Sequence, residues 1–415
     1  MSMNARGHLA VDQCDLVELS EKHGTPLHVV NCERLKHNCE KFLATAGNHY
    51  KRSKIFYSYK TNCVPGILKV IHRAGIGAEV ISPYELWLAL RLNVPPGSII
   101  YNGVNKSKDS LQLAFQQNIA AINLDSWEEL IEYKALSMKH ERIPGVGIRV
   151  RISAGWHAQF GFDIENDEAF DAFKMLTEIE GMHADPRRAA IGVHCHIGSN
   201  LQQPRVYAQA IRHVCGFMAK LKEKLGLVLD YLDIGGGIGI KFVEKFSLYD
   251  LALYHFFDRL LPVPRRTDEP IDRCIPVIAK TLNAECGRHG LPSPELWFEP
   301  GRALSGDAQL LLLGVENIKK DGRGVSWALT NGGPANIAYP LTFERHEVVV
   351  ANKLADPPDT EYRITGHVCT PSDVAYRKKM LPALEPGDTL AIMDAGAYFT
   401  SYANTCVFLR SPVFV

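Results

Sequence analysis

Lys60 ends a short apolar run, Lys54-Ile-Phe-Tyr-Ser-Tyr-Lys-Thr-Asn62. A lysine placed where a strand gives way to a loop offers an amine that can form a Schiff base with a carbonyl. The plainer alternative is a lysine with its stem packed and its head in water. His194-Cys-His-Ile-Gly-Ser199 sets two histidines two residues apart, on one face of a strand. Such a pair can bind a metal, yet no carboxylate or cysteine set in the sequence completes the site, and we expect no metal. His196 can instead lay its ring on a planar ligand, and Ser199 can donate to a phosphate. His194 fits a hydrogen-bonded core histidine better. In Asp233-Ile-Gly-Gly-Gly-Ile-Gly239, the glycines Gly235, Gly236 and Gly237 let backbone N–H groups approach an anion. Glycine runs of this kind are also common in plain tight turns. Glu299-Pro-Gly-Arg302 adds a carboxylate, the Gly301 N–H and a guanidinium. The alternative for Arg302 is a surface ion pair, which is worth little.

These groups need a scaffold that brings them to one face. Apolar strand-like runs at 55–59, 77–81, 98–101, 120–124, 147–152, 191–196, 229–234 and 296–299 alternate with helix-period stretches such as 83–92, 126–139 and 204–225. Eight such units over roughly 250 residues predict an α/β fold, a (β/α)8 TIM barrel, with a doubly wound sheet as runner-up. Lys60, Arg151, His196, the glycine run and Glu299 then all fall at the C-terminal ends of strands, where barrels carry their chemistry. Loops after strands seven and eight commonly hold a phosphate. Beyond Gly301 the texture turns β-rich, which predicts a C-terminal antiparallel β-domain. Residues 27–30 form a strand with no barrel partner and are expected to pair into that domain. The expected division is a barrel over 36–302, and a β-domain from 1–35 together with 303–415. Residues 262–270 read as a polar, proline-rich surface loop.

Bulk properties exclude several classes. The chain has 415 residues, with 46 Lys+Arg against 46 Asp+Glu. No polyanion-binding surface or long charged tail is indicated, so no nucleic-acid partner is expected. Ten cysteines are scattered without a Cys-x-x-Cys pair, and they read as reduced, mostly buried thiols of a cytoplasmic protein. The first twenty residues are polar and mixed in charge, which predicts no signal peptide. No apolar run approaches the roughly 20 residues of a membrane span.

The strings YSYKTN, EVISPYEL, HCHIGSN, DIGGGIG, EPGR, CTPSD and DAGAY occur in this order over nearly the whole chain. Together they resemble the fold-type III pyridoxal-phosphate decarboxylases, the ornithine/diaminopimelate/arginine decarboxylase family. The resemblance implies the barrel plus β-domain, a cytoplasmic head-to-tail homodimer with shared active sites, and pyridoxal 5'-phosphate as cofactor. Lys60 would carry the cofactor as a Schiff base. Glu299 would pair with the pyridine nitrogen, so that the ring acts as an electron sink. His196 would stack on the ring, and Arg151 would lie near its phenolic oxygen, with Arg149 the alternative. Ser199, Gly235, Gly236, Gly237, Gly301, Arg302 and Tyr398 would hold the phosphate. Cys369 and Tyr398 would come from the β-domain, and Cys369 would protonate Cα across the dimer interface.

Other stretches depart from the best-known members. Diaminopimelate decarboxylases grip the distal carboxylate with an Arg-Pro-x-Leu-Tyr string, and here Asn331-Gly-Gly-Pro-Ala-Asn-Ile-Ala-Tyr339 has Gly333 at the arginine position. Their cysteine loop reads Cys-Glu-Ser, whereas this one reads Cys369-Thr370-Pro371. Ornithine decarboxylases place acids in both stretches, where Gly332 and Thr370 stand here. A distal ammonium would lack a partner. The segment 152–161 is also shorter than the specificity loop of diaminopimelate decarboxylases. Gly333, Tyr339, Thr370 and Asp373 are therefore the expected specificity residues. The resemblance is nearest to members acting on conjugated amino acids in siderophore and antibiotic pathways, with meso-diaminopimelate decarboxylation as the alternative. A racemase and a non-catalytic homologue are the competing classes. The second usually loses the lysine or the cysteine, and both are present here.

Overall fold

The computed structural model describes residues 1–153, 159–179, 190–257 and 268–415. Most of the 262–270 loop and the middle of the 152–161 segment lie outside the described residues. Two compact units emerge. One comprises Lys36–Gly239 with Asp268–Ala303; the other comprises Met1–Leu35, Ile240–Thr267 and Leu304–Val415. The segment after Gly239, expected in the barrel, thus clusters with the β-rich unit. The physical reason is a strand pairing, Glu244–Lys245 antiparallel to Glu344–Arg345.

The first unit is a closed barrel of eight parallel strands. They are β1 (Ser53–Ser58), β2 (Gly77–Val80), β3 (Ile99–Tyr101), β4 (Ala121–Leu124), β5 (Gly145–Arg151), β6 (Ile191–His194), β7 (Tyr231–Asp233) and β8 (Glu295–Phe298). Each pairs with its successor, and β8 returns to β1. The helices start at chemically determined points. Ser82 and Ser126 cap Pro83–Arg91 and Trp127–Ser137 by accepting the N–H of Glu85 and Glu129. Glu85 and Glu129 reach back to the N–H groups of Ile81 and Asp125, which fixes each strand-to-helix turn.

Alternation along the strands stacks the interior in layers. The lowest layer is apolar: Phe56, Ile100, Ala121, Tyr231 and Trp297 form one buried cluster. Tyr231 and Trp297 lie face to face, 3.7 Å apart and 4° from parallel. There is no room beside Tyr231 for a side chain on β6, because a Cβ on Gly192 would meet its ring at 2.3 Å. Two residues further along the strands the layer becomes polar: Glu79, Asn102, Asn123, His194, Asp233 and Glu299, all buried. Two further still come Lys60, His196, Gly235 and Gly301.

The second unit is built on Gln309–Lys320. It pairs antiparallel with Leu27–Val30, Ser326–Thr330 and Thr389–Ile392. Leu27–Val30 therefore joins this sheet, as expected. Leu311 and Leu313 bury into one cluster, and Leu310 and Leu312 into another on the opposite face. Burial on both faces explains the unbroken leucine run. The sheet is mostly antiparallel, not wholly so: Ser326–Thr330 runs parallel to Thr360–Thr365, and Val413–Phe414 parallel to Leu27–Val30. No helix among the described residues is long and apolar enough to cross a membrane.

Trp297 packs flat on Tyr231 at the base of the barrel. Trp297→Ala should cost about 3–5 kcal/mol, read as a lower urea midpoint in equilibrium unfolding.

Candidate active site

Lys60 lies in a single 3₁₀ turn, Tyr59–Thr61, just beyond β1. Its Nζ is 3.2 Å from Oε2 of Glu79, which is fully buried and also accepts the Ser58 hydroxyl. The ammonium is thus paired rather than simply hydrated. Behind it, burial pushes the Glu85 carboxyl up to about 7, helped by the Glu79 charge.

Glu299 sits at the barrel centre. Asn102 Nδ2 donates to its Oε1, and His194 Nε2 is 3.5 Å away. Asn123 Nδ2 donates to Asn102 Oδ1 at 2.7 Å, and the Tyr231 hydroxyl donates to Asn123 Oδ1 at 2.9 Å. Asp233 Oδ1 accepts the Gly235 N–H at 2.8 Å. The sequence offered no carboxylates to accompany the histidines. The barrel supplies two, since polar atoms of His194, Asp233 and Glu299 lie within 4.8 Å of one another. Burial, with the Glu299 charge added, raises Asp233 well above the carboxylate range. Burial would raise Glu299 too, but His194, the Asp233 hydrogen bond and the Lys60 charge outweigh it and hold Glu299 low. His194 is a buried core residue as expected, though its ring nitrogens have no hydrogen-bond partner of good geometry among the described residues. Asn102, Asn123, Asp233 and Glu79 were not singled out as site residues. Their signal was positional: each is a polar residue where a barrel strand ends.

The glycine run forms a cradle. Gly235 and Gly237 have φ of 68° and 87°, which other residues rarely adopt. A Cβ on Gly236 would stand 2.2 Å from the Glu299 carbonyl oxygen, and one on Gly237 would stand 2.3 Å from that of Gly198. The loops after β6, β7 and β8 are tied through Glu299 N–H to Gly235 O at 2.9 Å and Leu201 N–H to Gly237 O at 2.6 Å. Ser199, half-buried, follows Gly198 in the first of these loops. Gly301 presses on the turn of Lys60, where its Cβ would meet Thr61 Oγ1 at 1.9 Å. That hydroxyl is buried and has no hydrogen-bond partner among the described residues. Arg302 is buried, so the surface ion pair is not its role. A Cβ on Gly235 would stand 2.7 Å from His196 Nδ1. Burial, reinforced by the Lys60 charge, pushes His196 down to about 3, so the ring is neutral.

The two arginines of β5 have different partners. The Arg151 guanidinium donates to the carbonyls of Phe160 and Gly161 at 3.1 and 3.0 Å. Arg149 instead lies 3.3 Å from Asp125, and its charge acts on His196. Arg149 also lies over the Phe160 ring at 4.5 Å, so both arginines have partners of their own. An amine, a buried ionised carboxylate, a neutral ring and a glycine cradle together fit pyridoxal phosphate.

In the β-rich unit, Cys369 is exposed. Tyr398 ends a turn pinned by Gly396 N–H to Gly306 O at 2.9 Å, and takes a φ of 71°. The Thr370 hydroxyl pairs with that of Ser372 at 2.9 Å. Tyr339 is exposed beside the Tyr402 ring. Asp373, expected to read substrate, is fully buried, and its two oxygens accept the N–H groups of Ala335 and Val368. It is a structural clamp. It also fills the space beside Gly333, whose Cβ would stand 2.2 Å from Asp373 Oδ1 and 2.8 Å from Gly366 Cα.

Lys60→Ala should abolish the visible absorbance of the reconstituted protein. Gly236→Ala should weaken cofactor binding roughly tenfold or more, about 1.4 kcal/mol, in a fluorescence titration. His196 has a folded pKa of about 3 against 6.5 in the free side chain. Below 6.5 the unfolded chain binds a proton that the native state refuses. Stability should therefore fall as pH drops from 6.5 towards 3, by about 1.4 kcal/mol per unit. His196→Gln should flatten that slope in urea unfolding.

The family model for the pyridoxal-dependent decarboxylase pyridoxal binding domain matches residues 33–306. A diaminopimelate decarboxylase of Methanocaldococcus jannaschii is 30% identical over 413 residues, 96% of this chain and 87% of that protein. One from Bacillus subtilis is 26% identical over 428 residues, covering 99% and 91%. The crystal structure of diaminopimelate decarboxylase from M. jannaschii superposes with a TM-score of 0.84 at 28% identity, covering 99% of this chain and 91% of that one. The expected leaning towards siderophore- and antibiotic-pathway members is corrected by these matches, which carry the diaminopimelate name. The amine beside Glu79, the glycine cradle and the buried Glu299 thus stand in a chain that belongs to the pyridoxal-dependent decarboxylase family and is a pyridoxal-phosphate-dependent amino acid decarboxylase.

Proposed function

We propose that this chain is a diaminopimelate decarboxylase, releasing carbon dioxide from the α-carbon of meso-diaminopimelate and working as a homodimer. The observation that carries this is the likeness along nearly the whole chain to proteins of that name. Lys60 would hold the cofactor, Glu299 would face its pyridine nitrogen, and the neutral His196 ring would cover one face. Gly235, Gly236, Gly237, Gly301, Arg302 and Ser199 would hold the phosphate. When bound, pyridoxal phosphate supplies an electron sink for the pair released as the carboxylate departs. Glu79 accepts from the Lys60 ammonium and steadies it near the cradle. The buried polar layer keeps Glu299 ionised without water. Cys369 of a second copy would return a proton to Cα.

A second reading is a substrate whose distal end is not a free amino acid. The favouring observation is Gly333, where Asp373 and Gly366 leave no room for a carboxylate-binding arginine. Carbon dioxide release should be measured with meso-diaminopimelate, lysine, ornithine and arginine. A kcat/KM above about 10⁴ M⁻¹s⁻¹ on meso-diaminopimelate alone is the expected result. Turnover below about a hundredth of that on all four would sink the proposal in favour of the second reading. Exchange of the Cα hydrogen without carbon dioxide would identify a racemase.

A further inference from the structure

Two buried carboxylates face one another at the barrel centre, and only Glu299 has a role in holding the cofactor. Asp233, on the neighbouring strand β7, is fully buried. Their polar atoms lie within 4.8 Å of one another and both residues are buried, so two negative charges there are costly and one proton shared by the pair relieves them. Their surroundings differ. Glu299 Oε1 accepts from Asn102, stands 3.5 Å from His194 Nε2 and lies in the field of Lys60. Asp233 Oδ1 accepts the backbone N–H of Gly235, and its Oδ2 has a long 3.5 Å contact with Asn123 Nδ2. The Glu79 charge also acts on Asp233 and disfavours a charge there. Donors and positive charge converge on Glu299, while the proton belongs on Asp233.

We propose that Asp233 is a positioning residue that carries the shared proton and donates it to Glu299, keeping Glu299 ionised and aimed at the pyridine nitrogen. This rests on the family's cofactor chemistry and not on which amino acid is the substrate. It also accounts for the Asp-Ile-Gly-Gly-Gly string as one device. The aspartate accepts the N–H of Gly235, the first glycine of the cradle, so one turn would link the residue beside Glu299 to the residues that would hold the phosphate.

Asp233→Asn keeps one donor and one acceptor in place, as a protonated aspartate does, while Asp233→Ala keeps neither. In the cofactor-free protein at neutral pH, the infrared spectrum should show a carboxylic-acid C=O band that Asp233→Asn removes. In the holoenzyme loaded with ¹⁵N-labelled cofactor, the pyridine nitrogen should show the protonated chemical shift in wild type and in Asp233→Asn, and lose it in Asp233→Ala. Cofactor affinity of Asp233→Ala should fall about tenfold. If the acid band survives Asp233→Asn and disappears in Glu299→Gln, the proton sits on Glu299 and the proposal is overturned. Loss of the protonated shift in Asp233→Asn as complete as in Asp233→Ala overturns it too.

Discussion

An ionised carboxylate buried within a barrel is the constraint around which the structure is arranged. Water cannot solvate Glu299, so the protein must. Asn102 donates to it directly, and Asn123 and Tyr231 fix Asn102 in turn. His194 stands beside it with both ring nitrogens buried. Each of these groups comes from a different strand. Shift one strand by a single residue and its polar side chain would turn outward towards the helices. The register of the barrel and the charge of one residue are therefore a single problem.

The layered interior solves it with little sequence. A strand that contributes to the axis needs an apolar residue, a polar one two positions on, and a loop residue two further. Tyr231, Asp233 and Gly235 are one such series; Trp297, Glu299 and Gly301 are another. The apolar floor excludes water from below, the polar layer tunes charge, and the loops receive the ligand. Stability and chemistry thus occupy different heights on the same strands.

Much of this was legible from the chain. Short apolar runs marked all eight barrel strands to within a few residues, because both faces of each are largely buried. Lys60, His196, the glycine run and Glu299 were visible through their positions at strand ends. What escaped depended on contacts across the barrel. Asn102 and Asn123 look like ordinary polar residues until the barrel closes and points them at Glu299. Arg149 and Arg151 share one face of β5, and only the fold shows that Arg151 donates to the carbonyls of 160–161 while Arg149 pairs with Asp125 and lies over the Phe160 ring. Asp373 looked like a ligand contact because it follows the cysteine loop, yet two backbone N–H groups claim it, one from Val368 in its own loop and one from the distant Ala335. The segment after Gly239 followed a barrel strand in sequence, but its strand pairing lies with the β-rich unit.

Gly333, Gly366 and Asp373 make up an interlocked triplet. A side chain at either glycine collides with the aspartate, and the aspartate holds two loops by their backbones. Changes at these three positions are therefore not independent. Replacing Gly333 first breaks the clamp, and removing Asp373 first leaves two N–H groups without an acceptor. A lineage carrying this triplet cannot acquire a long cationic side chain there through a series of individually tolerated steps. The packing of one carboxylate thus restricts which ancestral and descendant specificities this chain can reach.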